Sequence, residues 1–97
     1  MLSMNDLIDY CDLDKSEIEA IAEHQHIPLP IAVELGEYLL HSSAGLCTLH
    51  AMIQETIQHA ADHGRHHHAA ELAITYQHLQ RTHPLPSSQT SSPDARA

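Results

Sequence analysis

The feature that most restricts what this chain can fold into is the apolar spacing between Ala44 and His83, interrupted once by Gly64. Leu46, Leu49, Ile53, Ile57 and Ala60 recur every three or four residues. At about 100° per residue they lie on one helical stripe. Gln54, Glu55, Gln58 and His59 fall off that stripe, as a solvated face requires. Past Gly64 the same rule restarts with Ala69, Leu72, Tyr76 and Leu79. Glycine enters the left-handed conformation that ends a helix without steric cost, so Gly64 is the natural stop. Two apolar stripes joined by so short a link fold back as antiparallel neighbours.

Upstream, residues 3–11 read as a short helix with Ser3 at its cap and Leu7, Ile8 and Cys11 facing inward. Asp14 precedes Glu17 by three, the capping-box spacing, and predicts a second helix from Lys15 to about Gln25. Ile18, Ile21 and Ala22 form its inner stripe, with Glu17, Glu19 and Glu23 expected on its outside. The run Ile27-Pro28-Leu29-Pro30 must break the helix, and Pro30 suits the first turn of the next. That third helix is predicted from Pro30 to His41. Its apolar residues fall on two sides, Ala32, Leu35 and Leu39 against Val33 and Leu40. Such a helix is central in a bundle or shared with a second chain. Ser42 or Ser43 then caps the long helix. After His83 the segment Pro84 to Pro93 is rich in Ser and Pro and has no periodicity, so 84–97 is expected to be a disordered tail. The fold class is all-α: a small up-and-down bundle of about four helices over residues 1–83, a single domain ending in a long helical hairpin.

Composition narrows the function classes. With 97 residues, no Trp, no Phe and three Tyr, the core must be small and aliphatic, which favours a dimer or a docked partner. No basic segment leads into an apolar run and no stretch suits a membrane span, so a cytoplasmic, membrane-independent protein is expected. Cys11 and Cys47 are far apart and form no CxxC, so they are expected as thiols rather than a disulfide. The formal charge of −9 is uneven: residues 1–37 carry nine of the 13 acids against Lys15 alone. Four Lys and Arg in the whole chain cannot make the footprint that nucleic-acid phosphates demand.

The segments EIEAIAEHQHIP, starting at Glu17, AVELGEYLL, starting at Ala32, and the closing THP at Thr82 resemble small helical proteins of bacteria. The resemblance runs from Glu17 to Pro84. It implies a helical fold of bacterial type and brings no activity with it.

Eleven histidines are the compositional outlier. Zn, Ni or Cu need three or four imidazole, thiolate or carboxylate ligands converging on one point. His59 and His63 share a helix face, and His67 or His68 with Glu71 could meet them at the hairpin tip. Glu23, His24 and His26 offer a second, thinner set. Against this, His59 points away from the inner stripe, His67 and His78 are expected to project outward with Ile74, and His68 lies near the core edge. HExxH is absent. The same imidazoles take up protons in mild acid and could cancel or reverse the net charge. Cys47 and His50 stand one turn apart, but no oxyanion loop or pocket accompanies them, so an enzyme is not expected. The leading reading is a non-catalytic acidic helical module without a cofactor. It self-associates as a homo-dimer or docks to a protein partner through Val33, Leu40 and Ile74, while Glu17, Glu19 and Glu23 steer basic partners. The alternative is metal handling, with Zn or Ni, by His59, His63, His67, His68 and Glu71.

Overall fold

The computed structural model describes residues 12–85. The helix expected over 3–11, Cys11 and most of the expected tail lie outside the described residues. Four helices follow in order: α1 Lys15–Gln25, α2 Leu29–Leu39, α3 Ser43–Asp62 and α4 His66–Thr82. The described residues contain no strand, and the all-α class is as the periodicity predicts. None of these helices is long and apolar enough to cross a membrane.

The helix ends show how the chain imposes this order. At the start of α1, Glu17 reaches back and its Oε1 accepts the Asp14 N–H at 2.8 Å, one arm of a capping box. The helix stops earlier than the prolines require. His26 adopts the left-handed conformation, φ 57°, and its N–H closes on the Ala22 carbonyl. The Ile27 N–H joins the same carbonyl at 3.2 Å. Histidine tolerates that region better than most residues other than glycine. Helix α2 begins at Leu29 with Pro30 in its first turn and ends at Leu39, two residues short of the predicted His41. The shortening has a steric cause. Ser42 already caps α3, its Oγ accepting the Gly45 N–H at 2.9 Å. The chain turns so tightly that a Cβ at Gly45 would sit 2.3 Å from the Leu39 carbonyl oxygen.

Gly64 is the hairpin stop. Its φ is 76°, the Arg65 N–H bonds to the Ala60 carbonyl at 2.9 Å and its own N–H to Ala61 at 3.1 Å. Together these two bonds satisfy carbonyls that the end of α3 would otherwise leave orphaned. Helix α1 lies against both arms of the hairpin, and α2 packs on α1 and α3.

The four helices share one aliphatic core. Ile18 and Ile21 of α1, Leu49 and Ile53 of α3, and Leu79 of α4 are fully buried, with Ala32, Leu72 and Ala60 beside them. Each fully buried Leu or Ile stabilises the fold by about 1.5–3 kcal/mol relative to an exposed one. Two sequence expectations fail here. Val33 is buried, 7 % exposed, because α2 turns it inward beside Ala32 and Gly36. Glu17 is fully buried rather than on the outside of α1, because its reach back to Asp14 folds the side chain under the helix start.

Candidate functional site

Helix α1 is held to the hairpin by polar contacts as well as by its apolar stripe. At its C-terminal end the His24 Nε2–H donates to Glu55 Oε1 of α3 at 2.7 Å, and the Gln25 amide donates to His24 Nδ1 at 2.8 Å. Further along, the His68 Nε2–H of α4 donates to Glu23 Oε1 at 2.7 Å. At its N-terminal end His78 Nε2 of α4 lies 2.8 Å from Asp14 Oδ2. Three imidazole–carboxylate pairs therefore join α1 to α3 and α4. This corrects the expectation that His78 projects outward with Ile74. The side chain is 35 % exposed and turned toward the start of α1.

The hairpin-tip set is not gathered. The His59 and His63 rings stack on each other, centroids 4.1 Å apart, and the His63 Nδ1–H donates to the His59 carbonyl at 2.8 Å. His67, 91 % exposed, pairs only with Glu71 one turn on, at 3.3 Å. His68 keeps its Nδ1 3.7 Å from the other oxygen of Glu71 but turns its Nε2–H to Glu23 of α1, so Glu71 gathers His67 and His68 while His59 and His63 stay apart from them. The thinner set fares differently: Glu23, His24 and His26 share a 470 Å³ cleft with Glu55, His59 and Arg65. His24 pairs with Glu55, Arg65 with Glu23 and His59 with His63, and among the described residues no three His, Cys, Asp or Glu side chains form a set that could hold a metal ion. The Cys47–His50 couple does not form an activated thiol through this ring. His50 is 3 % exposed, its Nε2–H donates to the His83 carbonyl at 2.8 Å, and its Nδ1 accepts from the Tyr76 hydroxyl at 3.1 Å. Both ring nitrogens are taken.

A groove runs between α1 and α4. It encloses 390 Å³, with Ala20, Leu72 and Thr75 on its floor and Glu19, Glu23 and Glu71 on its walls. Ile74, one of the predicted contact residues, stands at its rim and is 67 % exposed. Leu40, another, is only half-buried and sits past the end of α2, away from the groove. Two of the wall carboxylates are already engaged, Glu23 by His68 at 2.7 Å and by the half-exposed Arg65 at 3.8 Å, and Glu71 by His67 at 3.3 Å; no Lys or Arg occurs between Lys15 and Arg65. A surface of this kind attracts cations and offers one apolar anchor point.

Compared with known family models, characterised proteins and solved structures, the chain matches none.

The sequence places Ile74, Glu19 and Glu23 on outer faces but does not show the groove, since the α1–α4 pairing is tertiary. It also missed two large exposed apolar side chains on α2, Ile31 at 47 % and Tyr38 at 73 %. They stand seven residues apart on one outward face. The i, i+7 spacing of the pair is the signal in the sequence, weaker than the two-sided apolar pattern that singles out Val33 and Leu40.

Proposed function

We propose that this protein is a non-catalytic helical docking module whose α1–α4 groove takes a basic amphipathic helix from a partner protein. The observation that carries the reading is Ile74, left two-thirds exposed beside a groove walled by three carboxylates. An amphipathic helix laid in such a groove offers apolar side chains to Ile74 and Leu72 and Lys or Arg to Glu19, Glu23 and Glu71. Charge complementarity favours this occupant over a second copy, because two such grooves facing each other oppose acid to acid. The acidic balance of the whole chain, −9, speeds the encounter with a basic partner.

The probe is a labelled amphipathic leucine–lysine peptide, followed by fluorescence anisotropy on the full chain. Binding should weaken about tenfold in Ile74→Ser, the loss of roughly 1.4 kcal/mol of apolar contact, and stay unchanged in Tyr38→Ser on the far face. Equal affinity in the two variants would reduce the interaction to non-specific attraction and remove the reading. A concentration-dependent dimer of the full chain that Ile74→Ser abolishes would replace the partner helix by a second copy.

A further inference from the structure

Beyond the groove, the fold contains a polar cluster that its packing does not need. Glu17 is fully buried, yet only half of its carboxylate is used. Oε1 accepts the Asp14 N–H at 2.8 Å, whereas Oε2 is buried without a hydrogen-bond partner. A buried orphan oxygen is uncommon, because it forgoes hydration and gains no bond in return. The nearest base is His78 of α4, its Nε2 4.0 Å away. That nitrogen already lies 2.8 Å from Asp14 Oδ2. Two carboxylates at the start of α1 thus converge on a single imidazole from α4. The other ionisable group acting on Glu17 is His83, one residue past α4, while Lys15 follows Asp14 in sequence.

We propose that Asp14, Glu17 and His78 form a proton-operated clasp that tightens α1 on α4 as the pH falls from alkaline to mildly acidic. With the cluster deprotonated, neutral His78 uses its Nε2–H for Asp14, and the buried Glu17 charge has no partner on Oε2. One proton added to the Glu17 carboxyl removes that conflict. It leaves a neutral acid, whose burial without a partner on Oε2 costs far less than that of a carboxylate. The folded Glu17 therefore holds its proton more firmly than the unfolded chain does. By linkage, proton uptake and α1 docking then favour each other. Burial of the Glu17 carboxyl, which pushes its proton affinity up against the pull of the Asp14 N–H and His78, acts in the same direction. The clasp sits at the Asp14 end of α1, so it governs how firmly one wall of the α1–α4 groove is held.

The test is native-state hydrogen exchange of the α1 amides in the full chain, corrected for intrinsic rates, between about pH 8 and about pH 6. Protection of Ile18 and Ala20 should rise on acidification, the direction that linkage requires. Glu17→Gln keeps the length of the side chain but can neither take up nor lose the proton. It should show the acid-end protection of the wild type throughout, with no rise. Protection that is flat or falls in the wild type overturns the clasp, as does a rise that Glu17→Gln retains. No peptide or partner enters the measurement, so failure of the docking reading leaves this result standing, and the converse also holds.

Discussion

His50 offers the sharpest test of how this small core is closed. The ring is 3 % exposed and spans two elements, with Tyr76 of α4 on one nitrogen and the His83 carbonyl on the other. Because a carbonyl can only accept, Nε2 must carry the proton, and Nδ1 must then accept from Tyr76. The Tyr76 oxygen in turn accepts from the Gln54 amide of α3. The ring also meets Tyr76 edge-on, centroids 5.4 Å apart. His50→Phe keeps the apolar volume and the edge-on contact but removes both hydrogen bonds. A typical bond of this kind contributes about 0.5–1.5 kcal/mol net, so two give roughly 1–3 kcal/mol. Both partners are half-buried, so water recovers part of the loss, which places the expected destabilisation at about 2 kcal/mol. For a domain of this size about 1 kcal/mol corresponds to roughly 4–8 °C, so the melting temperature should fall by roughly 8–16 °C. Circular-dichroism melts measure this directly. Combining His50→Phe with Tyr76→Phe should give less than the sum of the single losses, a coupling of at least about 0.5 kcal/mol. A single variant within about 0.5 kcal/mol of wild type, or two strictly additive losses, would refute the chain of bonds from Gln54 to His83.

Two further changes test the fold. Gly45→Ala places a Cβ against the Leu39 carbonyl, backbone that cannot swing aside, and should cost about 1–3 kcal/mol or prevent folding. Gly64→Ala, with nothing near its Cβ, is the comparison; it should cost only the left-handed strain of about 1 kcal/mol, and a milder Gly45 variant in denaturant titrations would contradict the steric account. Glu17→Gln tests the buried charge through its pH dependence. Because burial raises the Glu17 carboxyl above its unfolded value, the associated stabilisation is present below that unfolded value and is lost as pH rises through the folded one. The glutamine cannot lose it, so the variant's melting temperature relative to wild type should climb between about pH 5 and about pH 8. A difference that shrinks with rising pH would mean that the Glu17 charge is well paired.

Much of this architecture is legible in the sequence. The helical hairpin, its stop at Gly64 and the Asp14–Glu17 start of α1 follow from local rules. Stripe periodicity, left-handed glycine and capping act over three to seven residues, so the residues that decide them are near neighbours in the chain. The end of α1 at Gln25 falls where the sequence predicts it, and the left-handed turn at His26 that makes it is a conformation that histidine tolerates but does not by itself announce. Ile74 was legible for a different reason: it falls opposite Leu72 and Leu79 on α4, and no partner stripe elsewhere called for it.

What only the tertiary structure decided are the partners of the histidines and acids. Spacing put His59, His63, His67, His68 and Glu71 at one tip, but spacing cannot say which way a ring turns once a second helix arrives. His24 and His68 found carboxylates on other helices and His78 found the cap residue of α1, at 2.7–2.8 Å and 31 to 64 residues away in the chain. Glu17 shows the limit most plainly. By period it belonged with Glu19 and Glu23 on a solvated face, and the same reach that caps its own helix carried it under α4. Charge and amphipathicity in the sequence determined that there would be helices with acidic outsides. The docking of α1 across the hairpin determined which acids became groove walls, which became clasp, and which was left with an oxygen unpaired.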